Sequence, residues 1–233
     1  MPAPMASRLL LLAGLTFALG VPLAAQDSAH AAGHGHGHDG DPDHAVAGGG
    51  AIPAGWTARA DDHAGTANVK VAPMGGGMHV TLGPAVILYQ AKHDGKGSFH
   101  TLATFTQTKK VAHPEGYGLF YGGKALAGDG EKYVYFLVRQ DGKYLVKQRD
   151  GDKTTEITKG WVASPAVKQL DAKGTAINKL EVDNKSDPTK VRFLVNGQEV
   201  HSMAAKPGDT DGQVGLRVNH NLDLHIDGFD VHR

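Results

Sequence analysis

Tyr133-Val134-Tyr135-Phe136-Leu137-Val138-Arg139, Gln140-Asp141-Gly142, then Lys143-Tyr144-Leu145-Val146-Lys147-Gln148 is the stretch from which the fold is read. Two runs rich in β-branched and aromatic residues flank an Asp-Gly pair. A tight hairpin turn needs positive φ, which Gly adopts freely and Asp tolerates, so the stretch predicts an antiparallel hairpin. The first run is apolar on both alternating faces, which places it inside a sheet and not at an edge.

The same alternation of short apolar runs and turns continues in both directions. Runs recur at Val69 to Ala72, Met78 to Leu82, Ala85 to Gln90, Phe99 to Gln107, Tyr117 to Tyr121, Ile177 to Val182, Val191 to Val195, Glu199 to Met203, Val214 to Val218 and Leu222 to Val231. Asp94-Gly95, Asp129-Gly130, Asp150-Gly151, Asn196-Gly197, Asp211-Gly212 and Asp227-Gly228 punctuate them. Short strands at regular spacing with turn residues between them predict an all-β domain, an antiparallel β-sandwich. Ser164-Pro165-Ala166-Val167-Lys168-Gln169-Leu170 is the best helix candidate, with Ser as N-cap and Pro at the first helical position.

Residues 1–25 read as a signal peptide. Arg8 is the positive start, Leu9 to Val21 the apolar stretch, and Leu23-Ala24-Ala25 the small-residue cleavage site before Gln26. The apolar stretch is too short to span a bilayer, so no integral membrane segment is expected after cleavage. The expected location is periplasmic or extracellular. There are no cysteines, so an exported chain must be held together by its core and not by disulfides. Residues 26–50 hold Ala, Gly, His and Asp and almost no bulky apolar side chain; they read as a disordered linker. Residues 51–233 form the single β-sandwich domain. The 24 Lys and Arg balance 24 Asp and Glu, which excludes the basic footprint of a nucleic-acid partner.

Within the domain, Gly116 to Gly122, Tyr133 to Arg139 with Asp141-Gly142-Lys143-Tyr144, Trp161 to Val167, Asn178 to Val182, Val191 to Gly197 and Gly212 to Leu216 form strand–turn–strand patterns. Together they resemble the concanavalin A-like lectin/glucanase superfamily, and in it the group of 3-keto-disaccharide hydrolase-like or laminin-G-like domains. The resemblance spans about Ile52 to Arg233. It implies an antiparallel β-sandwich of the concanavalin A-like jelly-roll type. The superfamily includes lectins, glycosidases and adhesive modules, so function must be argued from the site.

The paired-carboxylate signature of the superfamily's retaining glycosidases, Glu-x-Asp-x-x-Glu, does not appear. Only five Glu are present, and the nearest approach, Glu181-Val182-Asp183, lacks a third acid. The expectation therefore leans away from an enzyme, toward a non-catalytic binding domain for carbohydrate or a similar polyhydroxylated ligand. Alternation gives residues 214–219 and 222–227 a dry face and a polar one, the latter carrying Arg217, Asn219, Asp223, His225 and Asp227, with Asn219-His220-Asn221 read as the turn between the two strands. Hydrogen bonds to sugar hydroxyls are expected from Arg139, Arg217, Asn219 and His225, and ring stacking from Tyr133 and Tyr135. A solvated sheet surface and ordinary tyrosine packing are the plainer readings of the same residues. Trp161 reads as a core plug more than as a sugar platform.

Two alternatives stand beside this. One is a glycoside-acting enzyme, a hydrolase or lyase, as the 3-keto-disaccharide resemblance implies. The other is metal binding by the His-rich segment 26–50, where His34, His36 and His38 offer imidazoles to Zn²⁺ or another divalent transition metal; a low-complexity spacer explains the same composition. Asp150-Gly151-Asp152 and Gly208-Asp209-Thr210-Asp211 carry the oxygen donors of a Ca²⁺ site and equally the residues of plain turns.

Overall fold

The computed structural model describes residues 43–61, 63 and 65–233. The signal peptide, residues 26–42 of the linker, and with them His34, His36 and His38, lie outside the described residues. Among the described residues, fifteen strands follow in chain order: β1 (Thr57–Ala60), β2 (Val69–Met74), β3 (Gly77–Leu82), β4 (Val86–Gly95), β5 (His100–Gln107), β6 (Gly116–Lys124), β7 (Lys132–Arg139), β8 (Lys143–Asp150), β9 (Lys153–Glu156), β10 (Val162–Ala163), β11 (Ala176–Asp183), β12 (Lys190–Val195), β13 (Gln198–Ala204), β14 (Gly212–Val218) and β15 (Asp223–His232). They form two antiparallel sheets. The first runs β1-β4-β14-β6-β7-β8-β10 with β9 also paired to β8, and the second β13-β12-β11-β5-β15-β3-β2.

The hairpin that opens the sequence reading is β7–β8, in register from Lys132 opposite Asp150 to Arg139 opposite Lys143. Gly142 sits in its turn at φ 80°, a conformation in which any Cβ is strained. Strand β7 lies between β6 and β8, as its two apolar faces require. Phe136 and Val138 point into the sandwich, while Tyr133, Tyr135 and Leu137 join a second apolar cluster on the opposite face.

The main core fills the space between the sheets. Val86, Leu88, Tyr117, Leu119, Tyr121, Leu216 and Val218 come from the first sheet, and Val80, Leu82, Phe105, Leu180, Val182, Phe193, Leu224 and Ile226 from the second. Burying a side chain of this size contributes about 1.5–3 kcal/mol. Trp56, just ahead of β1, closes one margin of the core against Phe229, ring centres 5.6 Å apart.

One local expectation is corrected. Ser164 to Leu170 is not a helix: Ser164 closes a single turn by accepting hydrogen bonds from the Ala166 and Val167 N–H groups, and the chain then runs on without regular structure. Asn178, buried in β11, holds this path by accepting from the Lys168 N–H and donating to the Lys168 carbonyl. Asn219-His220-Asn221 is the turn between the two strands, as expected, but not a hairpin within one sheet. Strand β14 pairs with β4 and β6, whereas β15 pairs with β3 and β5, so this connection crosses from one sheet to the other. Asp43 and His44 dock on the crossing: His220 Nδ1 lies 2.6 Å from Asp43 Oδ1, and the His44 N–H donates to Asn221 Oδ1 at 3.1 Å.

Candidate functional site

Strand register assembles the outer face of the first sheet row by row. Arg217 lies opposite Ile87 on β4, Tyr133 opposite Arg149 on β8, Tyr135 opposite Lys147 and Leu137 opposite Leu145. Ile87, Phe120, Leu126, Tyr133, Tyr135 and Leu137 form the buried apolar layer of this face, flanked by the partly exposed Tyr89 and Trp161. Ring centres are 5.2 Å apart for Phe120 and Tyr133 and 5.7 Å for Tyr133 and Tyr135. Such pairs contribute about 0.5–1.5 kcal/mol each beyond their area. Burial pushes the Tyr135 hydroxyl up to about 12, so it stays protonated.

Beside the rings runs a chain of ion pairs. Arg217, only 5% exposed, grips Asp61 through both terminal nitrogens at 2.5 and 2.6 Å, donates to the Tyr133 hydroxyl at 3.3 Å, and gives its Nε–H to Asn219 Oδ1 at 3.1 Å. Arg149 reaches Asp61 at 2.9 Å and Glu131 at 2.7 Å. Arg59 closes the chain on Glu131 with two bonds of 2.9 and 2.8 Å. Burial by itself would raise the Asp61 carboxyl; Arg217 first and Arg149 after it overcome this and hold it at about 2. Removing charges from water is costly, and such a network persists only where each ion is paired in good geometry.

At the β7–β8 end, the Arg139 guanidinium stacks on Trp161, 4.4 Å from the ring centre, while a bidentate bond to Asp141 fixes it. Gly116 gives the indole its place: a Cβ there would stand 2.8 Å from Trp161 Cη2 and 2.9 Å from Leu137 Cδ1. Trp161 therefore lies on the outer face, partly exposed, and not in the sandwich interior where a core plug would be.

Tyr133, Tyr135, Arg139 and Arg217 thus share one face, with Asn219 at its margin. His225 does not join them. It lies on the outer face of the second sheet, opposite His79, the two rings stacked at 6.4 Å. His79 pairs with Asp223 at 3.0 Å and His225 with Asp227 at 2.9 Å. The polar surface expected from Arg217 through Asp227 is therefore two surfaces on opposite sides of the sandwich. Alternation tells which side chains share a strand face, not which sheet the strand enters. Glu181 is on the second face too, bonded to His100 at 2.9 Å.

Sequence reasoning missed Arg59, Asp61, Glu131 and Arg149. The β7–β8 register could have found Arg149, which it sets opposite Tyr133. Arg59 and Asp61 belong to a four-residue strand and its exit, too short to show a period. Among the described residues, no group of three or more His, Asp or Glu could hold a metal ion. The loop containing Gly208 to Asp211 borders a cavity of about 660 Å³ at one end of the sandwich. Its buried Asn184 and Thr210 both donate to the Gly97 carbonyl, and Asp211 accepts from the Gly97 N–H, so these groups are spent on tying loops together.

No protein-family model matches the chain, and no curated protein sequence does. Solved structures do. The carbohydrate-binding module CBM66 from Bacillus subtilis aligns with a TM-score of 0.55 at 12% identity, over 77% of this chain and 96% of that one. The carbohydrate recognition domain of Emp46p, potassium-bound form, aligns with a TM-score of 0.52 at 12% identity, over 76% and 88%. At such identity the likeness establishes architecture. The described domain is an all-β antiparallel sandwich with the jelly-roll fold of the concanavalin A-like type.

Proposed function

We propose that this chain is an exported, non-catalytic carbohydrate-binding domain whose ligand lies on the outer face of the eight-stranded sheet. The observation that carries the reading is Trp161: a partly exposed indole, fixed by Gly116, Leu137 and the stacked Arg139, at the margin of an apolar face. Sugar rings present C–H faces that pack on such a ring and hydroxyls that bond to fixed polar neighbours. The fold shared with carbohydrate-binding proteins adds support by analogy. The apolar leader ending at Ala25 supports export, which N-terminal sequencing of the secreted protein would test.

The glycoside-acting alternative is less favoured by this face. A general acid must hold a proton near neutral pH. Asp61, gripped by Arg217 and Arg149, is held at about 2 and keeps no proton there.

A glycan array followed by calorimetry on the best ligand tests the proposal. Trp161→Ala is expected to weaken binding at least about tenfold, the loss of a stacking contact on the order of 1.4 kcal/mol, with an unchanged circular dichroism spectrum. If no glycan binds, or if Trp161→Ala binds as the parent does, the outer face of this sheet is not the site.

A further inference from the structure

The charges on this outer face are unequal, and the imbalance sits beside Trp161. Three arginines, Arg59, Arg149 and Arg217, share two carboxylates, Asp61 and Glu131. Arg139 and Lys143 share one, Asp141, at 2.7 and 3.3 Å. Each group therefore holds one more cation than anions. Between them lies Lys147, opposite Tyr135 and flanked on its own strand face by Leu145 and Arg149. Lys147 is partly exposed and forms no ion pair among the described residues. Its cross-strand neighbour on the other side, Glu156, turns its carboxylate to the Gly160 N–H at 2.9 Å. The chain as a whole carries equal numbers of acidic and basic residues, so this excess is local.

The register also gives a spacing. Trp161 immediately precedes β10, whose Val162 pairs with Tyr144, and its ring reaches Gly116 and stacks with Arg139, so the indole spans the rows of Leu137 and Arg139. Lys147 and Tyr135 form the next row on the same face, about 7 Å along the strands. That separation is of the size of one pyranose ring. A sugar resting on Trp161 would project a ring substituent toward the Lys147 ammonium, with the Arg149 and Arg217 charges behind it.

We infer that the site selects acidic glycans, with the carboxylate of a uronic acid residue held at Lys147. This rests on the carbohydrate-binding reading above and names its ligand class. Surface charge pairs are individually weak and screened by salt, so the selectivity should be strong only at low ionic strength.

The test uses oligomers of galacturonate, glucuronate and mannuronate, each beside its carboxyl-reduced neutral counterpart, titrated calorimetrically into the mature protein. In at least one pair the acid is expected to bind about tenfold tighter than its neutral partner at about 50 mM salt, the ratio falling toward one at about 1 M. Lys147→Gln should cut that ratio severalfold. Neutral members bound as tightly as the acids, or bound alone, overturn the inference and leave the carbohydrate reading standing. An acid preference unmoved by Lys147→Gln overturns the assignment of the carboxylate to this lysine. Absence of binding here and on the glycan array overturns both.

Discussion

Arg217 and Asp61 stand 156 positions apart in the chain and meet as a bidentate pair, 2.5 and 2.6 Å, on the outer face of one sheet. The pair ties the exit of β1 to β14, and through Arg149 and Glu131 to β8 and the loop before β7. The network also holds the Tyr133 hydroxyl of this face, and its first consequence concerns acid.

Asp61 is held at about 2 in the folded protein, against an ordinary value of 3.8. A depressed carboxylate stabilises the fold above its unfolded pKa and loses that contribution as pH falls through the folded one. Urea unfolding of the parent and Asp61→Asn should differ by about 2 kcal/mol at pH 7. The difference should shrink between about pH 4 and pH 2. A gap that stays constant across this window would show that Asp61 is not ionised by the arginines.

Arg217→Ala should act first on stability. Its guanidinium is engaged by Asp61, Tyr133 and Asn219, so truncation leaves a carboxylate and a phenol short of a partner. Breaking a buried pair from one side costs about 3–5 kcal/mol. Thermal and urea unfolding of Arg217→Ala should show a loss of that order; a variant as stable as the parent would contradict the network.

Gly116→Ala places a methyl 2.8 Å from Trp161 Cη2 and 2.9 Å from Leu137 Cδ1. Overpacking of this kind costs about 1–3 kcal/mol, and the indole is the side that can move outward. A red shift of tryptophan emission is expected, together with weaker glycan binding. Unchanged emission would mean that Gly116 does not set the ring's position.

Phe136→Ala probes the interior behind the site. Phe136 is fully buried, its ring 5.3 Å from Phe193 of the facing sheet and 6.4 Å from Tyr144. A loss of about 3–5 kcal/mol is expected from the deleted ring and the cavity left behind. Denaturant unfolding measures it, and a loss below 1 kcal/mol would be inconsistent with close packing between the sheets.

The β7–β8 hairpin was readable because its information is local: Asp141-Gly142 fixes the turn, and the turn fixes the register. The inward sets Val214, Leu216, Val218 and Leu224, Ile226 were equally plain from alternation. The helix expected at Ser164 failed because a cap and a proline start a helix without sustaining one. Asn178 offers the Lys168 backbone a bonded alternative from another strand. Tyr133, Tyr135, Arg139 and Arg217 share one surface, as alternation suggests, while His225, which the same reasoning groups with them, lies on the other side.

Local chemistry by itself determined the strand class, the turns and which side chains pair off inward or outward, since those depend on φ preferences and a two-residue period. Only the assembled sandwich decided that β14 and β15 enter different sheets and that Arg59, Asp61, Glu131, Arg149 and Arg217 converge. Trp161 on Gly116 belongs with these. Such contacts join residues dozens of positions apart, and their partner is chosen by packing of the whole chain, which no short window of residues contains.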